Sequence, residues 1–257
     1  MIIMVELEMN QDEAIMAQER EIEREIAENI PLVGPLVPIT NLYQEYASDD
    51  LVYRAKIKDL LTKFKFIRKT RPDGNCFFRA FCFAYLESLL DDNQEFSRFK
   101  KIALVSKDDL ISLGFPQFTI EDFYDTFMEV LEKMEKGISL EELLEVFNDQ
   151  SYSDYLVVYM RLITSGYLQR QESFFSNFIE GPRSVKEFCQ QEVEPMFKES
   201  DHIHIIAITL ALNIGARVQY MDRGTAQEVN SHDFPDSNKQ PRVHLLYRPG
   251  HYDILYP

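Results

Sequence analysis

Cys76, His251 and Asp253 are the residues of this chain whose types and settings best suit covalent chemistry. Cys76 follows "RPDGN", a stretch of turn chemistry in which Pro72 fixes φ and Gly74 can take a positive φ. It precedes "CFFRAFCFAYLESLL", where Phe77, Phe81, Ala84 and Ser88 recur at helical spacing. The spacing predicts a helix beginning at or beside Cys76. There, unpaired N–H groups and the positive end of the helix dipole favour thiolate over thiol. A turn over Asp73, Gly74, Asn75 and Cys76 could also aim backbone N–H groups at a developing oxyanion. An arbitrary cysteine is more often a small buried hydrophobe, so a nucleophile needs a base as well.

His251 is the candidate base. In "HYDIL" the period of two puts His251, Asp253 and Leu255 on one face of a strand. A carboxylate at that position can accept the imidazole Nδ1–H, fix the tautomer and leave Nε2 directed at a thiol, as in a Cys-His-Asp triad. A surface His-Asp pair would read the same way. The other histidines are weaker candidates. His202 and His204 in "DHIHII" lie on a segment of helical spacing capped by Ser200 or Asp201, and residues two apart on a helix diverge. With no CxxC, HExxH or carboxylate cluster, no metal site is expected. His232 lies in the polar stretch "NSHDFPDSNK" and reads as a loop residue, and His244 is a strand position out of phase with Val243, Leu245 and Tyr247. Cys82 falls about 240° round the helix from Cys76, and Cys189 sits in the helical stretch "SVKEFCQQEVEPM"; core packing is expected for both.

The elements that must position these residues belong to a chain of 257 residues, 45% hydrophobic, with material for one large domain or two small ones. A net charge of −16 opposes any nucleic-acid surface. No apolar run approaches the ~18 residues needed to span a bilayer, and "MIIMVELEMN" does not read as a secretory signal, with acidic residues where a basic and then an apolar region would be expected. Three cysteines suggest free thiols in a reducing compartment.

Residues 1–30 carry nine acidic against two basic residues, with Ile15, Ile22, Ile26 and Ile30 forming a narrow apolar stripe. This segment reads either as a solvated leader or as a partner-binding arm. "IPLVGPLVPIT" reads as an extended connector after it. From Asn41 the pattern is a mixed α/β globule. Helix starts are marked at Thr119 with Asp122, Ser139 with Glu142, and Ser184 with Glu187. "ARVQYMD" and "PRVHLLYRPGHYDILYP" read as strands, the second turning at Arg248-Pro249-Gly250.

"DGNCFFRAF" followed far downstream by "YRPGHYDILY" resembles the signature pair of the ovarian-tumour class of cysteine deubiquitinases, and specifically the otubains that carry an N-terminal helical arm. Stretches such as "DEAIMAQ", "TIEDFYDTFM", "FNDQSYSDYLVVYMRLITSGYLQR" and "VKEFCQQEVEPMFKESDHIHIIA" extend the resemblance over nearly the whole chain from about Asp12.

The resemblance implies an α/β (α+β) fold with a papain-like core, a small mixed sheet flanked by helices, over residues 31–257 behind an arm at 1–30. It implies Cys76 as nucleophile on the isopeptide carbonyl, His251 as general base and later acid, Asp253 as orienting group, and Asp73 as part of the oxyanion turn through backbone N–H and loop geometry. The implied substrate is polyubiquitin of the proteasome-targeting lysine linkage, with no cofactor. The arm residues Ile15, Ile22 and Ile26 would contact the lysine-presenting ubiquitin. The protein would also bind ubiquitin-loaded conjugating enzymes and block chain synthesis without its thiol, which leaves a mainly non-catalytic inhibitor as the alternative. A cytoplasmic monomer, with the nucleus as a second compartment, completes the expectation. The leader before Asp12 and the loop "RGTAQEVNSHDFPDSNKQP" depart from the family pattern. The triad alone would also suit a papain-like hydrolase of small substrates.

Overall fold

The computed structural model of the chain describes residues 24–236 and 240–257, together with 15, 17, 18, 21 and 22. The leader before Asp12 and positions 237–239 of the unmatched loop lie outside the described residues. Six strands form one sheet in the order β1-β2-β6-β5-β3-β4. They are β1 (Val37–Pro38), β2 (Phe66–Arg68), β3 (Ala216–Tyr220), β4 (Asn230–Phe234), β5 (Val243–Arg248) and β6 (His251–Tyr256). β3 and β5 run parallel; the other pairings are antiparallel. β5 and β6 make a hairpin in which Arg248 pairs with His251. Pro249 presets φ for the turn and Gly250, at φ +76°, takes the left-handed position.

The labelled helices are α1 (Leu51–Leu60), α2 (Cys76–Leu89), α3 (Asn93–Ser112), α4 (Gln117–Glu135), α5 (Leu140–Asn148), α6 (Gln150–Arg170) and α7 (His202–Leu212). Short helical turns lie between α6 and α7, and residues 24–29 are helical. Side chains alternate across the sheet, as a period of two requires. Leu245 and Ile254 join the large core with α2 and α6, whereas Leu246 and Leu255 pack with Ile57 and Leu60 of α1 on the opposite face. The sheet is thus covered on both sides, and α2 is sandwiched between it and the helical layer. Twelve of the fourteen residues of α2 are buried, Arg79 and Tyr85 among them. The helix is apolar nearly all round because it has a neighbour nearly all round, so the nucleophile candidate stands on the most enclosed helix of the domain.

Several local expectations are met and two are corrected. Ser139 with Glu142, and Ser184 with Glu187, form reciprocal capping boxes. Thr119 does not start a helix: α4 begins at Gln117 with Pro116 as its cap, and Thr119 lies inside the first turn. His232 is a strand residue in β4, where it pairs with Val218, since the β3 ladder recruits a segment whose composition reads as loop. The connector after the arm is part of the fold. Leu32 and Val33 are buried, Val33 bridges Thr70, and the Asn148 side chain closes two hydrogen bonds with the Val33 backbone, at 3.0 and 2.9 Å. Among the described residues no helix is long and apolar enough to cross a membrane.

Candidate active site

The turn before α2 has a conformation that only its own sequence tolerates. Gly74 takes φ +72°, and a Cβ there would lie 2.3 Å from the Phe197 carbonyl oxygen, so both the backbone angle and the close approach require glycine. Phe197 is itself left-handed, at φ +65°. The turn is clamped from several directions. Asp73 accepts the Asn75 N–H at 2.9 Å and takes the Arg79 guanidinium on both oxygens, at 2.9 and 2.7 Å. Asn75 is fully buried; its Oδ1 accepts from the Phe197 N–H at 2.9 Å and from Arg161 at 3.0 Å. Arg161 also donates to the Gly74, Lys198 and Val193 carbonyls. Its guanidinium lies over the Phe78 ring, and burial pulls its pKa down to about 10. Buried guanidinium groups of this kind hold backbone carbonyls that would otherwise lack donors.

Cys76 opens α2 with 4% of its surface exposed. The backbone donors around it are unequal. The Asp73 N–H is engaged by the Arg71 carbonyl at 3.0 Å, and the Asn75 N–H by the Asp73 carboxylate. The N–H groups of Gly74 and Cys76 donate to no group among the described residues. The turn therefore leaves the N–H groups of Gly74 and Cys76 available as donors. The Asp73 N–H is engaged within the loop, and its carboxylate buttresses the turn.

The β5–β6 hairpin brings the other half. His251 Nε2 and Asp253 Oδ1 are 2.8 Å apart, with Asp253 completely buried. This reverses the nitrogens expected from sequence. Nε2 rather than Nδ1 faces the carboxylate. The nitrogen left for a thiol is Nδ1, which is buried and closes no hydrogen bond of its own. Burial opposes charging of this ring, but the hydrogen bond to Asp253 and the negative charge gathered around the ring outweigh it, so its pKa is pushed up to about 9.

Asp253 is built to stay ionised. Burial opposes its charge, and the His251 hydrogen bond, the Arg248 cation and the Thr70 N–H, at 3.0 Å, together hold its pKa below the usual carboxylate range. Arg248 donates to Asp253 Oδ2 through one nitrogen and to Glu45 Oε2, at 2.6 Å, through another. The sequence reading treated Arg248 only as part of a turn. Its signal was present, since an arginine paired across a tight hairpin from His251 must share its end of the sheet, but a local pattern names no partner for it. Asn148, Arg79 and Arg161 were also missed, because their partners are far away in sequence.

The remaining candidates separate from this cluster. His204 is buried, with Nδ1 accepting the Asp201 N–H at 3.0 Å, and burial pulls its pKa down to about 4. His202 stacks on Tyr220, and His244 packs edge-on against Phe64. Cys82 and Cys189 are buried, and burial pushes both thiols up, Cys189 to about 12. Both are inert packing residues by that chemistry. Ile15 and Ile22 are each 48% exposed, while Ile26 is half-buried at the edge of a cleft of about 440 Å³ that Asp73 and Phe197 also line.

Comparison with known proteins bears on the same residues. The profile of the family described as Peptidase C65 Otubain matches residues 25–257. "Ubiquitin thioesterase OTUB1" of Homo sapiens is 62% identical over 245 residues, covering 95% of this chain and 90% of that protein. "Ubiquitin thioesterase OTUB2" of Homo sapiens is 44% identical over 81% of this chain and 88% of that protein. The solved complex of h/ceOTUB1 with ubiquitin aldehyde and UBC13~Ub superposes with a TM-score of 0.90 at 38% identity, over 95% of this chain and 98% of that one. The corresponding complex with UBCH5B~Ub gives 0.88, again at 38% identity, over 96% and 98%.

Proposed function

This chain belongs to the otubain family, peptidase C65, and from that membership we infer a cysteine-type deubiquitinase that removes ubiquitin from polyubiquitin and binds ubiquitin-loaded conjugating enzymes. The observation that carries the chemical reading is the 2.8 Å His251–Asp253 contact beside a cysteine that opens a buried helix. Cys76 attacks the isopeptide carbonyl that follows the ubiquitin C-terminal glycine. His251 takes the thiol proton at Nδ1, and the N–H groups of Gly74 and Cys76 receive the developing oxyanion. The protonated imidazole then gives that proton to the leaving lysine amine. Water, deprotonated in turn by His251, hydrolyses the thioester and frees the ubiquitin carboxylate. Asp253 keeps the imidazole in one tautomer, and Asp73, tied to Arg79, holds the turn.

The preferred substrate in this reading is the proteasome-targeting lysine linkage. One ubiquitin delivers its tail to Cys76 and the next presents its lysine alongside the arm, with exposed Ile15 and Ile22 and half-buried Ile26 as contacts. The arm at 1–30 and the catalytic unit at 31–257 divide this work. Three unpaired, buried cysteines fit a reducing compartment, the cytoplasm with the nucleus as a second site.

A second reading, mainly non-catalytic inhibition of conjugating enzymes, is favoured by the solved complexes of similar proteins with UBC13~Ub and UBCH5B~Ub. Cleavage of a panel of differently linked diubiquitins, run beside an assay of chain synthesis, separates the two. Wild type should cut one linkage, and Cys76→Ala should cut none while still inhibiting synthesis. A wild-type chain that inhibits synthesis but cuts no linkage would leave the binding role alone.

A further inference from the structure

Among the described residues, the helical segment that ends at residue 29 is hydrogen-bonded to the rest of the fold through one side chain. Arg71 donates from Nε to the Ile30 carbonyl at 2.8 Å and from Nη2 to the Ala27 carbonyl at 3.0 Å. Among the described residues of the arm, every hydrogen bond to the body comes from Arg71; the others stay within the segment, such as Asn29 to Glu25 and Arg24 to Glu21. The Ala27 carbonyl belongs to the last turn of a helix, which has no intrahelical donor for it, Ile30 follows that turn directly, and a guanidinium there also meets the negative end of the dipole.

Arg71 is placed so that the arm and the active site share one mounting. Its backbone N–H bonds the Leu32 carbonyl, and its own carbonyl accepts the Asp73 N–H. The preceding residue, Thr70, donates its N–H to Asp253 and its hydroxyl to the Tyr252 carbonyl. Ile26 and Ala27 on the arm, and Arg71, Asp73 and Phe197 on the body, line the cleft of about 440 Å³ beside the nucleophile turn. We propose that Arg71 is the positioning residue that fixes the arm helix at the rim of this cleft, and thereby sets the grip on the lysine-presenting ubiquitin. The inference rests on the deubiquitinase reading above and adds a residue to it. Arg71 touches no reacting atom; it acts through the arm.

The test compares wild type with Arg71→Met, which keeps most of the aliphatic stem and removes the donor fork, on two substrates. One is diubiquitin of the proteasome-targeting linkage, and the other is ubiquitin carrying a C-terminal fluorogenic amide, which has no second ubiquitin to engage the arm. The expected result is a rise of about tenfold in KM for diubiquitin, from the loss of two charge-assisted hydrogen bonds, with kcat/KM for the amide within about twofold of wild type. Hydrogen exchange should report faster exchange of the amides at 26–30 and unchanged protection in α2. Arg71→Lys keeps the cation but serves one carbonyl rather than two, and should fall between; it carries the test if the methionine variant does not fold. Equal losses on both substrates, or arm amides that exchange as in wild type, would overturn the proposal. A wild-type chain that cleaves neither substrate would overturn the deubiquitinase reading, and the exchange measurement would still judge the clamp.

Discussion

Asp253 has two jobs that pull in different directions. It must remain charged in a site with no exposed surface, and it must hold an imidazole that gains and loses a proton. Arg248 and the Thr70 N–H meet the first demand and leave Oδ1 to serve His251. The consequence for pH can be measured. An imidazole at about 9 in the folded chain and about 6.5 in the unfolded one binds its proton more tightly when folded. Its contribution to stability is therefore fully present below about pH 6.5 and is lost as the pH rises through about 9. The melting temperature should fall between those values, and His251→Asn should flatten that fall. An undiminished slope in the variant would place the titrating group elsewhere. The same ionisation should give the activity an alkaline limb near pH 9, because the leaving amine needs the imidazolium proton.

At the scale of elements, two glycine turns bring the reactive residues together, and they differ in tolerance. Gly74 meets the Phe197 backbone, which cannot move aside without disturbing Asn75 and Arg161, whereas the nearest atom to a Cβ on Gly250 is the end of the Glu199 side chain at 3.2 Å. Both positions carry the strain of a positive φ, roughly 1–3 kcal/mol for a residue with a Cβ, but only Gly74 adds a backbone clash. Gly74→Ala should therefore lower stability in denaturant titration by clearly more than Gly250→Ala, and should abolish activity by displacing Cys76. Equal losses would mean that the Phe197 turn gives way easily.

For the whole molecule the governing quantity is the charge of −16. It leaves the folded chain repelling itself, a cost that salt relieves once the Debye length falls to about 10 Å near 0.1 M. Raising sodium chloride from a few millimolar to about 0.15 M should raise the melting temperature. A fall would show that ion pairs such as Lys56–Asp222 and Arg217–Asp233 outweigh the net repulsion. The arm shares this acidity, so its attachment relies on the directed bonds of Arg71 rather than on general attraction.

The amino-acid sequence alone determined the start of α2 at Cys76, the Pro249-Gly250 hairpin and the shared face of His251 and Asp253. These follow from local backbone preferences and from the periods of helix and strand, which act within a few residues. It also carried the family resemblance. It misread Thr119 as a helix start and "NSHDF" as loop, since Pro116 outranks a later threonine as a boundary and a sheet edge can recruit polar residues. Only the tertiary structure decided which imidazole nitrogen meets Asp253, that Arg248 and Thr70 share that carboxylate, that Phe197 and Arg161 lock the nucleophile turn, and that Arg71 holds the arm. The reason is physical: such partners are chosen by where the chain returns in space, and a contact between distant segments leaves no periodic trace in either one.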